Sequence, residues 1–204
     1  MKDAFRKTRI PNISKTIKET FGMKEGELIY QDACLILEAE LQRMYDRGNK
    51  AIRNHLRKNL LPGFASYKAL LNAGVEQEKA VDFIENEMCK AVESTANLCR
   101  MLSNKSYAFI VFKTAFGLGM KFGFPKQGWT VEYVERSNRA ICMNITSCLY
   151  CEELEKRDAI ALCRAFCRTD HAAYDPLAPA VVFKRKATLA QTGKQCDFCF
   201  ERRL

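Results

Sequence analysis

Of the ten cysteines in the 204 residues, six (Cys148, Cys151, Cys163, Cys167, Cys196 and Cys199) fall in the last 57. Cys148-Leu-Tyr-Cys151 and Cys196-Asp-Phe-Cys199 form two C-x-x-C pairs with 44 residues between them. Zinc takes four thiolate or imidazole ligands in a tetrahedron, and two such pairs can supply them. Against that, Cys196 and Cys199 lie in a predicted strand, where residues three apart face opposite sides, and a buried thiol packs well as a small hydrophobe. Nucleophilic catalysis is the other use of sulfur. Cys163 and Cys167 are four apart on a predicted helix, and Asp170 follows on the same side. A thiolate attacks there while a carboxylate manages protons. His171 adjoins Asp170 but diverges from it around the helix, and both it and His55 read as solvated surface histidines. Arg185 sits mid-way along a predicted strand from Val181 to Ala190, on the face opposite Lys184 and Lys186. A guanidinium in that position either holds a substrate carboxylate bidentately or lies exposed.

The elements that position these groups differ between the two ends of the chain. Residues 1–125 read as helix nearly throughout. The segments are Ile13–Phe21, closed by Gly22; a long amphipathic helix from Glu27; a short one begun by Pro62; a third long helix from Gln77 to Leu98; and an apolar, glycine-bearing stretch to Phe124. After Pro125 the apolar period shifts toward two. Strands are predicted around Trp129–Val134 and Ala140–Ile145, turning at Ser137-Asn138, and then at Val181–Ala190 and Cys196–Arg202, turning at Thr192-Gly193-Lys194. Short helices are expected over Glu152–Arg157 and Ile160–Asp170. The fold class expected is α+β: a single domain, 1–204, with a helical layer (1–125) packed on a small antiparallel sheet with Cys-rich helices (126–204).

Composition narrows the function classes. Thirty-three Lys+Arg against 24 Asp+Glu leave a net charge of +9, and 48% hydrophobic residues are enough for a buried core. The basic residues alternate with acids and show no aromatic interleaving, the pattern of a solvated face, so no nucleic-acid partner is expected. Lys113 and Lys121 interrupt the most apolar stretch, 107–124, and no membrane span is expected. That stretch does offer a surface for a homo-oligomer. The first twenty residues carry no secretory or lipidation signal, so a cytoplasmic location and reduced thiols are expected.

Several segments, taken in order, resemble the L-2-amino-thiazoline-4-carboxylic acid hydrolase family. They are Leu61-Pro-Gly-Phe-Ala-Ser-Tyr67 with Leu70-Leu71, Gly128-Trp129, Thr146-Ser-Cys148-Leu-Tyr150, Phe166-Cys167-Arg-Thr-Asp170, Phe183-Lys-Arg185-Lys-Ala-Thr188-Leu189 and Gly193-Lys-Gln-Cys196-Asp197-Phe198. Each is weak alone, and the ordered set is specific. The resemblance implies hydrolytic opening of a cyclic amidine to a carbamoyl-cysteine, on a small-molecule substrate; no cofactor is expected, and no metal ligand is assigned among the site residues. Its site residues would be Cys148, Cys167, Asp170 and Cys196 for catalysis, with Arg185 and Asp197 for substrate binding. Cys167 would attack the ring carbon or position the water, Asp170 would handle protons or pair with the amidinium, and Arg185 would anchor the carboxylate. Cys148 and Cys196 remain alternative nucleophiles. Cys151, Cys163, Cys199 and His171 fall outside the family-like pattern, which weakens the zinc reading. The competing class is a non-catalytic ligand-binding or thiol redox-sensing domain, similar in architecture to vinyl-reductase-type sensors.

Overall fold

A computed structural model describes residues 4–203. Its contacts group the chain into two compact units, Met1–Ala91 and Val92–Leu204. The boundary falls inside the helical half, where the helix expected from Gln77 to Leu98 is interrupted at Val92.

The first unit is helical. α1 (Ile13–Phe21) ends at Gly22, whose φ of 85° reverses the chain, and α2 (Met23–Arg43) returns along it. The two helices approach so closely at Gly26 that a Cβ there would lie 2.7 Å from the Lys18 Cα, which only glycine tolerates. Asn49 caps α3 (Lys50–His55) by accepting the amides of Ala51 and Ile52. A π-helical turn, Leu56–Leu60, leads into α4 (Leu61–Asn72), nine of whose residues are buried. α5 (Gln77–Ala91) packs on α4 through Ala80, Val81, Ile84 and Met88.

The second unit holds the sheet and every late cysteine. α6 (Glu93–Leu102) and α7 (Ala108–Gly123) precede β1 (Trp129–Arg136) and β2 (Ala140–Cys148). Next come α8 (Leu149–Glu155), a 3-10 turn at Ile160–Leu162, α9 (Cys163–Tyr174), β3 (Val181–Lys184), α10 (Leu189–Thr192) and β4 (Cys196–Arg202). The strands are antiparallel in the order β1-β2-β4-β3, so each expected pairing forms and β2 joins β4 to make one sheet. The α+β class is as expected. No helix among the described residues is long and apolar enough to cross a membrane.

Alternation along β4 sends Cys196, Phe198 and Phe200 into the core and leaves Asp197, Cys199 and Glu201 on the other face. The core face carries an aromatic cluster centred on Phe200, which is fully buried. Its ring lies 4.7 Å from Phe112, 4.9 Å from Phe116, 5.3 Å from Tyr174 and 4.7 Å from Phe183, centroid to centroid. These contacts seat α7 and α9 on the sheet and so fix where α9 presents its sulfurs.

The structure corrects two local expectations. The strand from Val181 ends at Lys184 rather than Ala190, because the Asp197 side chain takes the next amides: Oδ1 accepts Lys186 N at 2.9 Å and Ala187 N at 2.6 Å. Arg185 therefore projects from a loop and not from mid-strand. Nor are all the thiols reduced. Cys142 and Cys199 stand directly opposite across β2 and β4, with Cα atoms 4.0 Å apart, and are joined as a disulfide.

Phe200→Ala is expected to lower the unfolding free energy by about 3–5 kcal/mol, the usual cost of emptying a packed aromatic site. Urea denaturation of the variant checks this; a loss below about 1 kcal/mol would show that the cluster does not hold the helices to the sheet.

Candidate functional site

Arg185 is the centre of the site. Its side chain is only 6% exposed, so its charge needs internal partners. Nη1 donates to Asp170 Oδ2 at 2.5 Å, and Nη2 donates to the Cys167 carbonyl oxygen at 2.9 Å. The guanidinium also lies 5.2 Å from the Phe198 ring centre and 5.9 Å from that of Phe183, within cation–π range. One side chain thus joins the loop after β3 to two residues three apart on α9. Asp197 acts one step further out, since its grip on the amides of Lys186 and Ala187 shapes the loop from which Arg185 extends.

The Asp170 side chain is 31% exposed. Its pKa is pushed up to about 6 by burial, against the opposing pull of Arg185. At neutrality the carboxyl is mostly ionised and pairs with Arg185, yet its pKa of about 6 lies close enough to neutral pH to suit a proton-transfer group. Tyr174, on the same helix, has its hydroxyl pKa raised by burial and then by the Asp170 charge. His171 lies to one side. Its Nδ1 meets Asp175 Oδ1 at 3.1 Å and its ring packs 4.9 Å from Phe183.

The sulfurs of separate segments come together beside this pair. Cys148 ends β2 and begins α8, with Cys151 in the first turn of that helix. Cys151 Sγ lies 3.2 Å from Cys163 Sγ at the start of α9. Hydrogen bonds from Cys148 and then Cys163 hold the Cys151 pKa well below the usual thiol value. The donors respond in the opposite sense: Cys148 is raised by its bond to Cys151 and by burial, and Cys163 by its bonds to Cys151 and Cys167 and by burial. Contacts therefore run in sequence from Cys148 through Cys151 and Cys163 to Cys167. Cys196 accepts the Leu189 amide at 3.1 Å. Its pKa is raised to about 11, chiefly by burial, and it feels the charges of Cys167, Cys151 and Arg185.

Of the residues singled out from sequence, Cys167, Asp170 and Arg185 are in direct or shared contact. Cys148 and Cys196 join them through the sulfur chain and its field. Asp197 is turned back onto the loop backbone through Oδ1. Cys151 and Cys163, which stood outside the family-like pattern, are the links between the family-like thiols. Their signals were present in the sequence: Cys151 completes C-x-x-C, and Cys163 is one helical turn before Cys167. The two C-x-x-C pairs do not make a four-sulfur site, because Cys199 is bonded to Cys142 on the face of β4 opposite Cys196. Among the described residues, no three His, Cys, Asp or Glu side chains are grouped to hold a metal ion.

Comparison with known proteins adds the following. A family model described as L-2-amino-thiazoline-4-carboxylic acid hydrolase matches residues 53–200. No curated protein matches. A crystal structure of the Fe(II) unliganded H-NOX protein from K. algicida is similar over 96% of this chain and 95% of that one, at 8% identity and a TM-score of 0.40.

The raised Asp170 pKa sets the sign of a pH effect. The native chain binds this proton more tightly than an unfolded one, so the stabilisation is complete below pH about 4 and is lost as pH rises through about 6. Wild type is expected to lose stability relative to Asp170→Asn between those values, as read by urea unfolding at pH 4 and pH 7. An opposite trend would mean that Arg185 outweighs burial. In ¹³C NMR titrations, Arg185→Gln should move the Asp170 midpoint upward.

Proposed function

Because the chain belongs to the L-2-amino-thiazoline-4-carboxylic acid hydrolase family, we propose that it opens the ring of L-2-amino-thiazoline-4-carboxylate or a close cyclic amidine by hydrolysis, with a cysteine as nucleophile. The observation that carries this reading is the junction at Arg185, where one buried guanidinium holds both the Asp170 carboxylate and the backbone of Cys167. Family membership favours hydrolysis over the non-catalytic binding or sensing class.

In this reading the Cys167 thiolate adds to the ring carbon that bears the amino group, and the C=N electron pair moves to the ring nitrogen. Asp170, with its pKa of about 6, delivers a proton to that nitrogen. The lone pair of the exocyclic amino group then expels it, and the ring C–N bond breaks. The exocyclic nitrogen passes one proton to the departing nitrogen, so that the amine leaves neutral and the carbon keeps a C=NH group between the two sulfurs. Water then adds to the same carbon, giving up its proton to the Asp170 carboxylate. Expulsion of the Cys167 sulfur leaves a carbamoyl group on the cysteine sulfur of the product. One water is consumed and the thiol and carboxyl return to their starting states. Both terminal nitrogens of Arg185 already have partners in the protein. These bonds use two of its five N–H donors, so it aims Asp170 and holds this turn of α9, with the remaining donors left to anchor the substrate carboxylate. Asp197 contributes by shaping the Arg185 loop, and Cys148 and Cys196 tune the field around the nucleophile.

Single substitutions Cys167→Ser, Cys148→Ser and Cys196→Ser, assayed by chromatographic release of carbamoyl-cysteine, separate the thiols. Cys167→Ser is expected to lower kcat by at least about 100-fold, and Asp170→Asn by about 10²–10⁴-fold, with the other two thiol variants within about tenfold of wild type. Full activity in Cys167→Ser would remove it from the nucleophile role.

A further inference from the structure

The mechanism leaves unused the thiol contact between Cys151 and Cys163. From its geometry we infer that these two residues form a dithiol centre that reduces low-molecular-weight disulfides, with Cys151 as the attacking thiol and Cys163 as the resolving one. The inference does not depend on the hydrolase reading.

Three observations divide the roles. Cys151 is partly exposed, whereas Cys163 is fully buried, so an outside disulfide reaches the first and not the second. The two sulfurs come from different helices, twelve residues apart in sequence, and sit 3.2 Å apart. A disulfide needs about 2.05 Å, so an approach of roughly 1.2 Å by side-chain rotation is enough. Finally, hydrogen bonding concentrates negative charge on Cys151 and keeps the proton on Cys163, and the thiolate is the form that attacks.

The exchange balances in two steps. The Cys151 thiolate attacks one sulfur of an external disulfide RSSR, the S–S bond breaks, and one RS⁻ leaves with a mixed disulfide on Cys151. Capping Cys151 removes the anion that held the proton on Cys163, so this thiol now gives its proton to the departing thiolate. Cys163 sulfur then attacks Cys151 Sγ, expels the second RS⁻ and closes the Cys151–Cys163 bond. The two protein sulfurs are oxidised to a disulfide and one RSSR is reduced to RSH and RS⁻, the latter taking its proton from solvent water. The Cys142–Cys199 disulfide lies on another face of the sheet and takes no part. A substrate for this centre is a small, flexible disulfide able to present one sulfur to a half-covered thiolate, a class that includes the disulfides of cysteine derivatives.

The test uses full-length protein with its Cys142–Cys199 bond intact and eight free thiols, treated with excess 2-hydroxyethyl disulfide at pH 7. Thiols are then blocked by alkylation, and linkages are mapped by peptide mass spectrometry. The expected result is loss of two thiols, a Cys151–Cys163 link, and full recovery with dithiothreitol. Cys163→Ser should accumulate one hydroxyethanethiol adduct on Cys151, and Cys151→Ser should react at least tenfold more slowly, with circular dichroism confirming that both variants are folded. A Cys148–Cys151 link in place of the expected one would overturn the assignment. So would a stable adduct on the wild type, or an unchanged rate in Cys151→Ser.

Discussion

A guanidinium buried to 6% exposure is the constraint around which the second unit is arranged. Removing a charge from water costs several kcal/mol unless it is paired and hydrogen-bonded. Here the compensation comes from a carboxylate, a backbone carbonyl and two aromatic rings. Those partners belong to α9, β3 and β4, so satisfying one charge fixes three elements relative to one another. Asp197 extends the arrangement outward. It ends β3 early by capturing two amides, and Arg185 can then turn toward α9 instead of continuing a strand. A residue that contacts no reacting group in the proposed chemistry thereby controls the direction of the one that does.

The sulfur chain beside this junction follows a related logic. Thiols packed within hydrogen-bonding reach do not titrate independently, because a proton on one stabilises the thiolate on the next. Cys151 lies between two donors and becomes the anionic member, while Cys148 and Cys163 keep their protons. Negative charge so placed also raises Cys196 and opposes ionisation nearby. A cluster of this kind separates a partly exposed, thiolate-rich end at Cys151 from the Cys167–Asp170 end gripped by Arg185, and two chemistries can occupy neighbouring positions on α8 and α9.

The sheet supplies the rigidity that both ends need. Alternate residues of β4 place Phe198 and Phe200 under α9 and α7, and the cluster they build with Phe112, Phe116, Tyr174 and Phe183 is dense in tilted and edge-on ring contacts. Aromatic packing of that kind holds α9 against the strands and limits sliding of the Cys167–Asp170 face past the Arg185 loop.

The amino-acid sequence by itself determined the fold class, the helix of residues 13–21, the two hairpin pairings and the segment in which chemistry is concentrated. These depend on local periodicity, on Gly22 and Gly193 with positive φ, and on cysteine spacing, all of which can be read within a few residues. It also contained the family-like order of Cys148, Cys167, Asp170, Arg185 and Cys196. Only the tertiary structure decided where β3 ends, since that rests on an Asp197 side chain eleven and ten residues downstream of the two amides it captures. The same holds for the Cys142–Cys199 bond, which exists because antiparallel register sets two distant residues face to face, and for the partners of Arg185. Cys151 and Cys163 show the division most clearly. Their spacing was visible along the chain, but the contact between them is made by two helices brought together through packing, and no local pattern encodes a distance of that kind.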